Sequence, residues 1–381
     1  MPLNVLIVGA GPAGLYLACL LKRSRHNYAV QVVEQNARDS TFGFGLAFSQ
    51  RALQLLRHQD EETWAAIWPS LELWNDSIVS LNGETVRIDG MGYAGIARLR
   101  LLQLLQEQAR TLGIEPQYGC AVETPDDLDA DLVVGADGAN SVIRRAGQQH
   151  FGTSIDQFSN RFAWFGTRAR FDALTHTFVE TPDGALNAHH HPHAPDMGTF
   201  VVEMDEATFN RCGFEQMPME KAQAFCERIF APVLKRAPLI SNKSIWRRFP
   251  RIWNRHWWHD NRVLLGDAAH TAHFSIGSGT RIAMEDALAL SAALDGSPND
   301  LRAALASFED QRKPKVERLV AAANASAQWY EKFAENMRLP LMEFAMSYIT
   351  RSGRVGEQQL RSSSAAFMAQ YDAYRRSIRP V

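Results

Sequence analysis

The 381-residue sequence predicts an α/β fold in which a parallel sheet is interrupted by an antiparallel sheet and followed by helices. Three features point there. A glycine-rich turn, Gly9 to Gly14, joins an apolar β-branched run to a helical apolar pattern. A second apolar run, Arg262-Val263-Leu264-Leu265, ends in a Gly266-Asp267 turn far along the chain. Between the two, residues from about 161 to 254 change to alternating, β-rich composition.

Val5-Leu6-Ile7-Val8 reads as a buried strand and Leu15, Leu17, Ala18, Leu20 and Leu21 as one face of a helix. In the turn between them, Gly9 allows the sharp reversal and Gly11 lets backbone amides approach a pyrophosphate. Pro12 and Ala13 open the helix, and Gly14 permits close helix packing. A second strand, Val30 to Val33, ends in Glu34, twenty residues beyond Gly14. A carboxylate there accepts hydrogen bonds from adenosine ribose hydroxyls and disfavours a 2′-phosphate. Residues 3 to 21 do not read as a signal peptide, since no basic segment precedes them and three glycines and Pro12 interrupt the apolar run.

Thr41 to Phe48 is a glycine-bearing loop suited to pressing backbone against a flat ring. Gly95-Ile96-Ala97-Arg98 leads into a helix through Leu101, Leu102, Leu104, Leu105 and Ala109, with Arg98 at its entrance, where it is expected either to reach a phosphate or ribityl oxygen or to be a solvated first-turn residue. Asp131 to Gly138 reads as a buried strand running into a turn that Asp137 either locks or uses to contact a nucleotide, and Ser141 and Arg144 open the next helix. Asp267 ends the later strand before the Gly277-Ser278-Gly279 turn and a helix through Ala283, Ala287, Leu288 and Leu290. Ligands of open α/β sheets lie at the carboxyl ends of the strands. Gly9, Glu34 and Asp267 are therefore expected to face one cofactor, and a pyrophosphate turn combined with a distant carboxylate suits the polyol phosphate of FAD.

The intervening runs Phe162 to Gly166, Thr177 to Val179 and Thr199 to Val202 suggest an inserted antiparallel sheet that covers a flavin ring and lines a substrate pocket. The expected boundaries are 1–160 and 255–325 for the two parts of the nucleotide domain, 161–254 for the substrate sheet and 326–381 for a C-terminal helical segment.

Composition narrows the partners. The 46% hydrophobic content supports large cores, and a formal net charge of -2 leaves no electrostatic footprint for nucleic acid. No uninterrupted apolar run is long enough to span a bilayer. Cys19, Cys120, Cys212 and Cys226 lack C-x-x-C spacing and read as free thiols in a reducing cytoplasm. Between Lys22 and Lys221 there is no lysine, so arginine carries every basic role there. His189, His191 and His193 would share a face if extended, but Pro192 and Pro195 favour an exposed loop and carboxylates nearby are few, so no metal is expected and pocket lining is the alternative role. Trp253, Trp257 and Trp258 read as packing, and Arg351, Arg354 and Arg361 as a solvated helix face, with CoA phosphates as their alternative partners.

The motifs at Gly9 to Gly14, Asp137-Gly138 and Gly266-Asp267 resemble the FAD-dependent aromatic hydroxylases of the para-hydroxybenzoate hydroxylase type over essentially the whole chain. Most members have proline where this chain has Phe274 and asparagine where it has Arg281. The stretch His273 to Thr280 is similar to the salicylyl-CoA, 2-aminobenzoyl-CoA and violacein-pathway members, and Leu339 to Arg361 is more similar to the CoA-ester enzymes. The resemblance implies an FAD-binding Rossmann-like domain of the glutathione-reductase type. It also implies a reaction in which NADH or NADPH reduces the flavin, O2 adds as a C4a-hydroperoxide, and oxygen passes to an aromatic acid or its CoA thioester. An indole-derived substrate and a non-hydroxylating flavin reductase or oxidase are the alternatives. Phe274, with His273 beside it, is the implied pocket residue, and no second glycine fingerprint exists for the nicotinamide. A halogenase would need a Trp-x-Trp-x-Ile stretch, which is not present. Neither oligomeric state nor the site of hydroxylation follows from the sequence.

Overall fold

The computed structural model describes residues 2–378; the extreme ends of the expected first and last segments, residue 1 and residues 379–381, lie outside them. The chain divides into two compact units: Met1–Thr41, Leu99–Gln157 and Pro250–Ala321 form the first, and Phe42–Arg98, Phe158–Phe249 and Ala322–Val381 the second.

The first unit is built on a six-stranded sheet, in the order Trp258–His259, Arg262–Leu264, Leu132–Gly135, Leu3–Val8, Tyr28–Glu34, Gln117–Tyr118. Leu3–Val8 runs parallel to both neighbours, and Val8 is level with Val33 on one side and Gly135 on the other. Leu264 is level with Gly135 in turn, so four strands finish at one edge. Burial on both faces explains why these strands read as continuous Val, Ile and Leu runs. The helix Pro12–Arg23 has proline in its first turn and Lys22 and Arg23 in its last, matching the fixed φ of proline and the dipole's preference for cations. Leu15, Leu17, Ala18 and Leu21 of that helix are buried as expected, whereas Leu20 is only partly buried.

The second unit holds a seven-stranded sheet, in the order Leu239–Ser241, Arg161–Thr167, Met197–Met204, Gly184–Ala194, Leu174–Thr181, Ser77–Leu81, Glu84–Ile88. The pairing is antiparallel except between Leu174–Thr181 and Ser77–Leu81. The antiparallel sheet expected from residues 161–254 thus recruits a hairpin from residues 77–88, which a single chain segment cannot reveal. Alternation assigns its two faces. Phe165, Leu186, Ala188, Phe200 and Val202 pack with Phe209, Phe214 and Phe230. Val79, Val86 and Phe178 pack with Tyr330, Phe344 and Tyr348 from the C-terminal helices.

The histidine run is the clear correction to the sequence reading. Far from an exposed loop, His189 to His193 lie within the strand Gly184–Ala194, all four histidines buried. Pro192 sits at a register shift, a bulge between Pro192 and Ala194, the kind of place where a strand accommodates proline. No helix among the described residues is long and apolar enough to cross a membrane.

Candidate FAD site

In the first unit, the turn after Leu3–Val8 is dictated by Gly9. Its φ of +110° suits glycine alone, and a β-carbon there would strike the Ala136 carbonyl and lie 2.9 Å from Asp137 Cα. Gly9 and Ala136 each donate their backbone N–H to a neighbouring strand end, Val33 O and Val8 O, both at 2.8 Å. Gly11 precedes the helix Pro12–Arg23 without any side-chain cap, and a β-carbon on it would meet nothing within 4 Å. The helix terminus therefore faces open space with its amides uncapped by the chain, the cradle an anion requires. A β-carbon on Gly14 would collide with the Gly9 carbonyl, so the third glycine seats the helix on the turn. Ala13 is buried beside it.

Glu34 is oriented from this turn. Its Oε2 accepts the Ala10 N–H at 2.9 Å, and its Oε1 accepts the Asn36 N–H at 2.8 Å and Asn36 Nδ2 at 2.6 Å. Oε1 is thus saturated, while Oε2 keeps a further lone pair for a ribose hydroxyl. Asp137 closes the neighbouring turn by accepting the Val142 N–H at 2.7 Å; burial raises its pKa above the usual carboxylate value. Arg144 is more than a helix opener. Its guanidinium donates to Ala139 O at 2.5 Å and Ala268 O at 3.0 Å, so one side chain ties the Asp137 turn to the Asp267 turn. That role is invisible in sequence because the acceptors are backbone carbonyls.

The last component is the turn Gly266–Ala268. Gly266 adopts φ +56°, and a β-carbon on it would lie 2.9 Å from Ala283 Cβ. Gly266 and Ala268 are buried, whereas Asp267 between them is exposed, so the turn presents one carboxylate outward. Gly277, at φ +59°, ends the following short turn, and Gly279 begins the helix Gly279–Gly296. His273 caps that short turn, its Nδ1 accepting the Ser275 N–H at 3.3 Å and lying 2.9 Å from Ser275 Oγ. Phe274 is half-buried, its ring centroid 4.2 Å from that of His273.

Of the residues singled out in the sequence, Gly9, Gly11, Pro12, Ala13, Gly14, Glu34, Asp267, Gly277 and Gly279 belong to the first unit. Glu34 and the Gly9 and Gly266 turns lie at its common strand edge. The open cradle at Gly11, the oriented Glu34 and the outward Asp267 fit the pyrophosphate, ribose and polyol of FAD. Arg98 belongs to the second unit. There its backbone N–H donates to Phe44 O at 2.7 Å, its Nη1 to Phe42 O at 3.1 Å, and its guanidinium lies 5.9 Å from the Trp164 ring centroid.

In the second unit a buried polar cluster lies on the sheet and the C-terminal helices. Asn160 Nδ2 donates to Glu203 Oε1 at 2.9 Å, and burial pushes the Glu203 carboxyl up to about 8. Tyr330 OH lies 3.0 Å from His176 Nδ1. Arg351 sits 3.9 Å over the Tyr348 ring and donates to Ser326 Oγ at 2.9 Å, so it is not on a solvated face. Arg361 is exposed and paired with Glu357 and Asp372. Burial lowers His190 to about 3 and His191 and His193 to about 4, which keeps these imidazoles neutral. Their nitrogens meet Thr177 Oγ1 at 3.1 Å, Pro192 O at 3.0 Å and Thr199 Oγ1 at 3.0 Å, respectively. Among the described residues no group of three or more His, Cys, Asp or Glu side chains is placed to hold a metal ion.

The family described as the FAD binding domain matches residues 2–63 and 97–323. Salicyloyl-CoA 5-hydroxylase of a Streptomyces species is 39% identical over 98% of this chain and 74% of its own length. The 3-hydroxy-4-methyl-anthranilyl-[aryl-carrier protein] 5-monooxygenase of Streptosporangium sibiricum is 34% identical, covering 95% of this chain and 98% of its own. Protodeoxyviolaceinate monooxygenase of Chromobacterium violaceum is 30% identical over 92% of this chain and 94% of its own length. Among solved structures, 2-methyl-3-hydroxypyridine-5-carboxylic acid oxygenase superposes with a TM-score of 0.72 at 19% identity, covering 92% of this chain and 98% of that one, a likeness of fold. With its glycine cradle, oriented Glu34 and outward Asp267, the chain belongs to the FAD binding domain family and is a flavin-dependent monooxygenase.

Proposed function

We propose that the protein hydroxylates the ring of an aromatic acid carried as a thioester, a benzoyl-type CoA ester of the salicylyl or aminobenzoyl class, using O2 and NADH or NADPH. The observation that carries this reading is that the relatives at 39% and 34% identity, both covering nearly all of this chain, are named for aryl thioesters. FAD supplies the redox chemistry when bound, accepting the reducing equivalents and passing an oxygen atom to the ring. The chain's own residues bind and orient. The amides at Gly11 and the Pro12–Arg23 terminus take the pyrophosphate, Glu34 accepts the ribose hydroxyls, and Asp267 with the Gly277–Gly279 turn takes the polyol side. Phe274 is assigned to the pocket wall that excludes water from the reacting ring, and His273 to a substrate hydroxyl.

An indole-derived substrate is the second reading, favoured by the relative at 30% identity named for protodeoxyviolaceinate. The test is stimulated NAD(P)H consumption coupled to hydroxylated product, measured in parallel with salicylyl-CoA, 2-aminobenzoyl-CoA, the free acids and indoles. The thioesters should give at least tenfold greater kcat/KM than the free acids. Equal turnover of free acid and ester, or hydroxylation of indoles alone, would overturn the thioester assignment, and consumption without oxygenated product would point to an oxidase.

A further inference from the structure

Asp286, in the helix Gly279–Gly296, is fully buried in the first unit, and the functional reading above makes no use of it. Both its oxygens are committed. Oδ2 accepts the backbone N–H of Gly266 at 3.1 Å and lies 2.8 Å from His270 Nε2, while Oδ1 accepts Arg312 Nε at 2.7 Å. Arg312 extends the array, with Nη1 2.9 Å from Glu285 Oε2 and Nη2 donating to Ile282 O at 3.0 Å. Glu285 Oε1 in turn pairs with Arg281 Nη1 at 2.6 Å. The Trp257 ring, 5.0 Å from that of His270, packs beside the imidazole.

A buried ion pair is a costly way to dock a helix, because desolvation offsets most of the attraction and apolar residues pack as well. What a carboxylate does here that an apolar side chain cannot is grip a turn. It holds the N–H of the residue immediately before Asp267 and the ring of His270, three residues after it, from a single rigid helix. Gly266 leaves little slack, since its φ is +56° and a β-carbon there would lie only 2.9 Å from Ala283 Cβ of the same helix.

We propose that Asp286, held by Arg312, is a positioning residue for FAD, clamping the Gly266–His270 turn so that the Asp267 carboxylate is presented in one geometry. The inference rests on the assignment of Asp267 to the flavin.

The test compares four variants of the full chain, titrating FAD into apoprotein by flavin fluorescence and recording the thermal midpoint of the same apoprotein. Asp295 supplies the control. It lies in the same helix but bonds Ser24 Oγ at 2.7 Å and Tyr28 OH at 3.0 Å, away from the turn. Asp267→Ala and Asp286→Asn should each raise the FAD Kd at least tenfold. Asp295→Asn should lower the apoprotein midpoint while leaving Kd within twofold. His270→Asn, which removes one of the two grips, should raise Kd about threefold and decides the matter if Asp286→Asn does not fold. Equal changes in Kd for the turn and control variants, or none in Asp286→Asn and His270→Asn, would overturn the positioning role while leaving Asp267 in place. An unchanged Kd in Asp267→Ala would remove the assignment of Asp267, and this inference with it.

Discussion

At the scale of single residues, the proposed flavin cradle is set by where side chains are forbidden. A β-carbon on Gly14 already meets the Gly9 carbonyl, so Gly14→Val must push the helix off its turn, at a cost of about 1–3 kcal/mol for overpacking. The purified variant is expected to be colourless while retaining its far-ultraviolet circular dichroism. Yellow protein with a full complement of flavin would refute the role given to the fingerprint. Phe274 belongs to a different kind of prediction. If it excludes water from the reacting ring, Phe274→Ala should raise the share of consumed NAD(P)H that ends as hydrogen peroxide severalfold, with FAD content unchanged. A peroxide assay beside product quantification reads this directly, and unaltered coupling would return Phe274 to loop packing. Gly14 was legible because glycine conformation and turn spacing are local properties, whereas Phe274 was singled out only by the family resemblance. Asp286 was legible only as an acid among Ala283, Ala287 and Leu290, a buried-polar signal that does not say which groups it serves.

At the scale of elements, helices announced themselves through their period and parallel strands through continuous apolar runs, whereas the histidine strand did neither. Residues 189–193 mix polar side chains with two prolines nearby, and only the pairing of Gly184–Ala194 with Leu174–Thr181 and Met197–Met204 reveals a buried central strand. The C-terminal helices show how such a sheet is covered. Phe178 is fully buried, its ring edge-on to Phe344 at 4.8 Å and 5.6 Å from Phe333. Phe178→Ala should cost about 3–5 kcal/mol, seen as a fall in the urea midpoint. A loss under 1 kcal/mol would mean that these helices do not depend on the sheet for their docking.

At the scale of the whole molecule, buried titratable groups set the pH range of stability. His190, His191 and His193 have folded pKa values lowered by burial to about 3, 4 and 4, so the stability they allow is lost as pH falls from about 6.5 towards 4. Glu203 has its folded pKa raised to about 8 by burial, so its contribution is full below the unfolded value and is lost as pH rises through 8. Above pH 6.5 only the second effect remains among these four groups. Stability should therefore fall by about 2 kcal/mol between pH 6.5 and 8 on this account. Glu203→Gln, which keeps the shape and the neutral charge, should abolish that slope and raise the thermal midpoint at pH 8. An identical slope in the variant would show that Glu203 is ionised in the folded protein.

What the sequence determined alone was whatever depends on neighbours along the chain: the Gly9 turn, the acid at Glu34, the Asp137 and Gly266 turns, and the helical periods and apolar strand runs beside them. These were enough to specify the nucleotide fold and its flavin. The tertiary structure decided what depends on groups brought together from afar, among them the hairpin that extends the second sheet, the burial of the histidines, Arg144 reaching across to Ala268, and Asp286 gripping Gly266. The physical reason is that turn geometry is a property of a few consecutive dihedral angles. A buried hydrogen bond or ion pair takes its partner from the packing of the whole chain.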